Sequence, residues 1–540
     1  MESRRACVTP VEFCGRLAVV SVNGWAVDGS GPADWVLPED VLRDAPTYTP
    51  KPSELADLEL LVSGAYTPLT GFLGSADLIA LRRTGRLADG TTWPVPVTLE
   101  VPRTLAEQLD VTNPLRRVLI LADLEGAPVA ALDATELYPG RKTTLGVAGP
   151  VRRLGDGGHG AFRRMRRTPA EVRGSLPPGR ILGVIADRPL HRPQLAQIAR
   201  AARTLAAHLV VLVPVDGPGP DGLAPEALVR CVLAARDRMP ASTIVALPLP
   251  HHEGDDIRDA MLRTRVAAAY GVTHLLASSE SMLSGGGLRV LVPRELAYDG
   301  RDGQWRSLDD IPPRHRRLPL TVAEIEDHLD RGTILPEWHT PPAVARELAR
   351  ARPPRRQRGL VVFFTGLSGS GKSTMATGLS DALLETGERS VTLLDGDIVR
   401  RHLSAGLTFS AEDRDTNIRR IGWVAAEVGR HGGVAICCPI APFRDSRAAA
   451  RQFAHNAGAG FVLVHVATPL EECERRDRKG LYAKARAGLI KGMTGIDDPY
   501  EEPLDAEVTI DTTDLSQGEA VTTVLRYLGS NGWLDPRPIP

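Results

Sequence analysis

No stretch of this 540-residue chain approaches 18 uninterrupted apolar residues, about the length a helix needs to cross a bilayer. The amino terminus also lacks the charged-then-apolar pattern of a secretory signal, so the sequence reads as a soluble, cytoplasmic protein. Cysteine is scarce. There are six, without regular spacing, and two of them, Cys437 and Cys438, are adjacent in an apolar run. That usage argues against a disulfide framework and points to a reduced compartment. Neither sign of charge is in excess: a formal net charge of −1 gives no overall attraction to nucleic acid or to a membrane surface. Lysine is the last scarcity. Of 65 basic residues six are lysines, Lys51, Lys142, Lys372, Lys479, Lys484 and Lys491, and four of these fall in the last third. Either a drift toward arginine left random survivors, or these positions require a compact ammonium in place of a planar fork.

What is present is enough apolar material, 43% of residues, to build cores in about three or four domains. Residues 1–175 carry short apolar runs broken by Gly and Pro (Leu17 to Val22, Pro94 to Val101, Val118 to Leu121) and read as a mainly β domain with intervening helices. Within it, Leu55 to Gly74 starts helical and ends in a turn-rich loop. Residues 176–350 alternate strand and helix, with strands expected at Ile181–Ile185, Val210–Val215, Thr243–Leu249 and Thr273–Leu276 and a helix over Pro193–Leu209. Such alternation predicts a parallel α/β sheet. Two helices follow between Thr321 and Arg350, on either side of Pro336-Glu337-Trp338. Residues 351–357 read as a linker, since Arg352 to Arg358, RPPRRQR, is proline-rich, charged and without apolar periodicity; a short basic patch is the alternative. Residues 358–540 form a last α/β domain with strands expected at Leu360–Phe364, Ser390–Leu394, Val434–Ile440, Phe461–Val466 and Val508–Ile510.

The most informative stretch is Gly359 to Thr374, GLVVFFTGLSGSGKST. An apolar β-favouring run stops in a loop where Gly366, Gly371, Lys372 and Ser373 fill the G-x-x-x-x-G-K-[ST] template. A helix follows with Met375, Leu379 and Leu383 on one face. Glycines let backbone N–H groups turn toward phosphate oxygens, and the helix N-terminus adds partial positive charge. Lys372 is placed to reach the terminal phosphates and the Ser373 hydroxyl a Mg²⁺ ion. Asp395-Gly396-Asp397, with Arg400 after it, sits at the carboxyl end of the second strand, where open α/β sheets bind ligands. Two carboxylates there suit Mg²⁺-bound water and a proton from an attacking hydroxyl; a capped tight turn is the bland alternative. Phe409-Ser410 precedes Arg414, Asn417, Arg419 and Arg420, and a helix turns Arg414 and Asn417 to one side. Arginine there suits a second anion and the aromatic a base, against the alternative of a solvated helix face. Lys479 to Pro503, KGLYAKARAGLIKGMTGIDDPYEEP, is polar, carries three lysines and reads as a mobile lid.

Together GLSGSGKST, LDGD with Arg400, FSAEDRDTNIRR, APFRDSR and the lid make residues 358–540 resemble an adenylylsulfate (APS) kinase. That family phosphorylates the 3′-hydroxyl of APS with MgATP to give PAPS. The resemblance implies that Gly366, Leu367, Ser368, Gly369, Ser370, Gly371, Lys372, Ser373 and Thr374 bind ATP, and that Ser373 and Asp395 serve Mg²⁺. It implies catalytic roles for Lys372, Asp395, Asp397 and Lys484. It places Arg400, Phe409, Arg414, Asn417, Ile440, Lys479, Gly480 and Leu481 around APS. Two positions depart from the family pattern. Ala441 replaces the serine before Pro-Phe-Arg, which rules out a phosphoserine there and favours direct in-line transfer. Met493 replaces an aromatic residue of the lid, which keeps a soft ring contact of ~0.3–1.5 kcal/mol.

Leu55–Gly74, the WPVPVTLEVP run and the LPEWHTPPAVARELARA tail resemble an ATP sulfurylase, which makes APS from ATP and sulfate, with a PUA-like first domain. Its active-site motifs are eroded. Where sulfurylases read Q-T-R-N-P-x-H-x-x-H, this chain has Ile185-Ala186-Asp187-Arg188-Pro189-Leu190-His191-Arg192-Pro193-Gln194, keeping only Pro189 and His191. Where they read G-R-D-H-A-G, it has Ser278-Ser279-Glu280-Ser281-Met282-Leu283. Sulfate attacking an anion requires cationic groups to offset repulsion, and one preorganised donor alone is worth ~10²–10³ in rate. Asp187 is negative where a positive group is expected. His251-His252 before Glu253 reads as a solvated pair and His191 as a structural remnant.

The leading expectation is therefore an APS kinase behind an inactive sulfurylase-like region, with ATP and APS as small-molecule substrates. A homodimer is expected, along with a possible separate sulfurylase partner and no nucleic acid or membrane partner. A working bifunctional PAPS synthetase and a non-catalytic PAPS-sensing module are the alternatives. The intact loop, with Lys372, Asp395 and Asp397 all present, weighs against the sensor.

Overall fold

The computed structural model describes residues 43–113, 116–154, 161–217, 219–250, 256–277 and 288–535. The Leu17–Val22 run, His251-His252-Glu253 and Ser278–Leu283 lie outside them. Two compact units divide the chain: 1–187 with 198–218 and 240–293, and 188–197 with 219–239 and 294–540.

In the first unit a seven-stranded, largely antiparallel sheet is centred on the strand Thr144–Arg153. The Pro94–Val101 run is not the strand expected; pairing is confined to Glu100–Pro102. Pro94 and Pro96 have no N–H to give a ladder. The helix Pro52–Val62 begins the Leu55–Gly74 segment, and Gly71–Phe72 ends it as a short strand. The same unit holds a five-stranded parallel sheet in the order Ser242–Leu247, His208–Pro214, Ile181–Ile185, His274–Leu276, Arg289–Leu291. The helix expected over Pro193–Leu209 stops at Leu205, because Ala206 is left-handed (φ 49°) and His208 already begins a strand.

In the second unit the helices Val322–Arg331 and Pro342–Ala351 stand on either side of Pro336-Glu337-Trp338, as expected. The Arg352–Arg358 stretch is less solvated than its composition suggests. Arg352, Arg355 and Arg358 all bond the carboxylate of Asp330, which is 8% exposed.

The last sheet is parallel, in the order Val391–Leu394, Val434–Cys437, Leu360–Thr365, Gly460–Val466, Val508–Ile510. Its central strand is buried on both faces, so it reads as a continuous apolar run. Leu360, Val362 and Phe364 pack with Met375, Leu379 and Leu383 of the helix Lys372–Thr386 and with Val524 and Leu528. Val361 and Phe363 pack with Ile421, Ala425 and Ala450. Each such aliphatic or aromatic side chain contributes ~1.5–3 kcal/mol by leaving water. The strand expected to run to Ile440 ends at Cys437, two residues short of Pro439, which cannot continue the ladder. No helix among the described residues is long and apolar enough to cross a membrane.

Candidate active site

The loop Gly366–Gly371 leaves the central strand and turns into the helix Lys372–Thr386. Two of its glycines are required by geometry. Gly371 is left-handed at φ 101°, and at Gly366 (φ 147°) a Cβ would press on the Val466 carbonyl oxygen. The loop is held from below: the Ser370 carbonyl accepts from Thr512 Oγ1 at 2.9 Å and from Thr468 Oγ1 at 3.1 Å. Thr374 lies exposed in the first helical turn, its carbonyl accepting from Gln517 Nε2 at 2.9 Å. Gly369 is exposed at the loop tip.

Lys372 is 7% exposed, and its Nζ donates to the Leu367 carbonyl at 2.6 Å. Burial pulls its pKa down to about 8. Ser373 Oγ donates to Asp395 Oδ2 at 2.9 Å, and the Cys438 thiol donates to the same oxygen at 3.2 Å. Burial raises the Asp395 pKa, but hydrogen bonds from Ser373, Cys438 and the Asp397 backbone outweigh it, leaving the carboxyl below its ordinary value. Burial, and then the Asp395 charge, push the Cys438 thiol up to about 12, so it stays a neutral donor. Asp395 also caps the helix Gly396–His402. Asp397 is exposed and ion-paired with Lys479.

The loop Cys438–Ala441 runs beside the phosphate loop. The Ile440 carbonyl accepts from Thr365 Oγ1 at 2.7 Å and from the Gly366 N–H at 3.3 Å. Ala441, where a serine was expected, is left-handed at φ 47° and 1% exposed. The bonds of Thr365 and Arg447 to its carbonyl hold that strained backbone.

Arg400 stacks on Phe409, 4.4 Å from ring centre, and donates to the Thr408 carbonyl at 3.1 Å; Phe409 is itself exposed. Arg414 and Asn417 share one side of the helix Ala411–Arg430. Arg414 bonds Thr494 Oγ1 at 2.8 Å and pairs with Asp498. Its Nε and Asn417 Oδ1 are buried with no partner among the described residues. The lid contains the helix Leu481–Arg486, started by left-handed Gly480, with Lys484 exposed. It is less polar inside than its sequence suggested. Tyr482, Ala485 and Met493 are buried with Cys473 in a small apolar cluster that Leu367 and Leu481 join. Tyr482 Oη donates to the Ser368 carbonyl at 2.8 Å, tying lid to phosphate loop.

Sequence reasoning missed Cys438, Tyr482 and the Thr468–Thr512 support. Cys438 had a positional signal, standing just past a strand's carboxyl end. Tyr482 lay inside a motif already singled out. The two threonines, 44 residues apart, had none.

Residues 358–511 match the adenylylsulphate kinase family and residues 39–146 the PUA-like domain family. The sulfate adenylyltransferase of Aspergillus fumigatus is 32% identical over 570 aligned residues, 93% of this chain and 99% of that one. That of Mycosarcoma maydis is 31% identical, covering 91% and 94%. The chain belongs to the sulfate adenylyltransferase–APS kinase family. A structure of a hexameric APS kinase from Thiobacillus denitrificans aligns at TM-score 0.72 and 35% identity, over 92% of this chain and 95% of that one. This family member thus carries a PUA-like first domain and a phosphotransferase domain of the APS kinase type at its end.

The adenylyltransferase-like motif is divided between the two units. In the first, Ala186 continues the strand end, its N–H donating to the Leu212 carbonyl at 2.8 Å. Asp187 accepts from Arg263 Nη1 at 2.9 Å, and the Asp259 carboxylate accepts from Arg263 Nε at 2.7 Å. In the second unit His191 is 8% exposed and stacks on His339, with ring centres 4.7 Å apart. Nδ1 of each ring lies 3.0 Å from Thr340 Oγ1. Burial lowers the pKa of His191 to about 3 and of His339 to about 4.

Proposed function

We propose that residues 358–540 phosphorylate the 3′-hydroxyl of APS with MgATP, giving PAPS and ADP, and that the adenylyltransferase-like region makes no APS of its own. The observation carrying the kinase reading is the intact phosphate loop at the carboxyl end of the central strand with the Ser373–Asp395 pair at 2.9 Å, beside which stand Arg414 Nε and Asn417 Oδ1, buried and without a partner among the described residues. A buried polar atom without a partner is costly, and a sulfated nucleotide offers acceptors to the guanidinium and donors to the amide.

In this mechanism the loop N–H groups of Gly366–Thr374 hold the ATP phosphates. Lys372 exchanges the Leu367 carbonyl for a phosphate oxygen. Ser373 Oγ and the Asp395 carboxylate are hard oxygen donors close enough to share one ion, the ligand set Mg²⁺ accepts beside phosphates. Bound there, Mg²⁺ supplies charge neutralisation at the phosphates. Arg400, Phe409, Arg414, Asn417, Ile440, Lys479, Gly480 and Leu481 position APS. The 3′-oxygen attacks the γ-phosphorus in line, the bond from that phosphorus to the bridging oxygen breaks, and ADP leaves. Asp397, which does not share the Ser373 contact, takes the hydroxyl proton, and Lys484 neutralises the transferring group. Ala441 cannot carry a phosphoryl group, which supports direct transfer. The test is Lys372→Ala, expected to abolish PAPS formation while leaving circular dichroism unchanged; wild-type turnover would remove the site.

The inactive-adenylyltransferase reading rests on Asp187. Arg263, the cation beside it, is engaged by Asp187 and Asp259, where sulfate needs positive charge left free. APS then comes from a separate sulfurylase. A homodimer is the family expectation, whereas the Thiobacillus denitrificans structure is described as hexameric; light scattering decides between two chains and six. The buried free thiols of Cys231, Cys437, Cys438 and Cys473 support a reducing, cytoplasmic setting.

A further inference from the structure

Two N–H groups of the phosphate loop already have protein acceptors. Gly366 donates to the Ile440 carbonyl at 3.3 Å and Ser370 to the Leu367 carbonyl at 3.2 Å. Those of Ser368, Gly369 and Gly371 have no backbone acceptor among the described residues. The carbonyls of the same three peptide units are the ones that side chains hold. The Leu367 carbonyl accepts from Lys372 Nζ at 2.6 Å and the Ser368 carbonyl from Tyr482 Oη at 2.8 Å. The Ser370 carbonyl accepts from Thr512 Oγ1 at 2.9 Å and Thr468 Oγ1 at 3.1 Å. In a planar trans peptide the N–H points opposite to the carbonyl. A side chain that holds one of these carbonyls therefore sets where the next N–H points.

The three holds differ in origin. Thr468 and Thr512 are buried and lie 2.9 Å apart through their hydroxyls, a support built into the core. Lys372 belongs to the helix that follows the loop, and it leaves the Leu367 carbonyl when a phosphate arrives. Tyr482 comes from the lid, where it is 2% exposed and packs with Cys473, Ala485 and Met493. We propose that Tyr482 is a positioning residue for ATP, its hydroxyl holding the Ser368–Gly369 peptide so that the Gly369 N–H faces the phosphates. The phosphate loop is then complete only while the lid is seated on it. Without the hydroxyl the Ser368 carbonyl turns to another donor and takes the Gly369 N–H with it, since a carbonyl out of water needs a partner. The role in turnover rests on the kinase reading, but binding of a nucleoside diphosphate is measured without phosphoryl transfer.

The experiment is isothermal titration of the full chain and of its Tyr482→Phe variant with ADP and Mg²⁺, beside KM values for ATP and APS from PAPS formation. Phenylalanine keeps the ring in its apolar cluster, so any loss reports the hydroxyl. ADP binding is expected to weaken ~3–10-fold and KM for ATP to rise as much, with KM for APS held within about 2-fold. Equal ADP affinity in the two proteins overturns the proposal. So does an equal rise in KM for ATP and APS, which would make Tyr482 a support of the whole site. Should the unaltered chain bind ADP yet make no PAPS from APS, the kinase reading falls, and the ADP comparison alone decides the role of Tyr482.

Discussion

Arg263 Nη1 lies 2.9 Å from Asp187, and Arg263 Nε lies 2.7 Å from Asp259. The guanidinium and Asp259 are both under 10% exposed, whereas Asp187 is 36% exposed. One buried cation is thus shared by two carboxylates at the end of the Ile181–Ile185 strand. Removing it should leave the buried Asp259 carboxylate without this cation and beside the half-exposed Asp187, and Arg263→Ala is expected to destabilise the protein by ~3–5 kcal/mol. Asp187→Asn, at the more exposed partner, should cost less. Urea denaturation of both variants measures this; equal losses would mean that the Asp187 pair carries the whole effect and the Asp259 pair none.

Lys372 supplies a pH dependence. Its pKa of about 8 reflects burial of the ammonium. Below that pH the free protein carries the charge that attracts phosphates, and above it the charge is lost. The kcat/KM for ATP should therefore fall as pH rises through about 8. The kcat, which reports the bound complex, should hold to higher pH because bound phosphates retain the proton. A kcat/KM flat from pH 7 to 9.5 contradicts this.

Cys438 holds Asp395 by a neutral thiol that donates to the oxygen also bonded by Ser373. When the Ser373 hydroxyl turns to another partner, Cys438 remains to orient the carboxylate. Cys438→Ala is expected to lower kcat by roughly 3–10-fold, the ~0.7–1.4 kcal/mol of one bond from a weak thiol donor, and Cys438→Ser to recover most of it. Equal kcat in the alanine and serine variants would mean that the donor is dispensable.

His191 and His339 make the second unit sensitive to acid. Both are held below their ordinary value of 6.5, to about 3 and about 4. Below pH 6.5 the unfolded chain takes up protons that the folded chain excludes, so stability present above 6.5 is lost as pH falls toward 4. His339→Asn should flatten that fall in Tm. An unchanged slope would place the acid sensitivity elsewhere.

Much of this was legible in the sequence, for physical reasons. The Leu360–Phe364 run and the Met375, Leu379, Leu383 spacing encode burial locally, and both emerge as expected. Val508–Ile510 is found at its expected limits. The phosphate loop and Asp395 could be read because their chemistry requires contiguous residues. The three-stranded sheet of Leu296–Asp299, Gln304–Ser307 and Arg316–Arg317 escaped, since strands of two to four residues leave no period to detect. The Asp330 hub escaped as well, because its arginines lie 22 to 28 residues away and only the fold joins them. Composition could not show that the lid buries Tyr482 and Met493, since its polar residues dominate the count.

The most direct test of the central claim supplies purified protein, MgATP and pyrophosphatase with APS in one tube and with sulfate in another, and measures PAPS. PAPS from APS alone is the expected result. PAPS from both would contradict the account, because a site centred on Asp187 would then be activating sulfate.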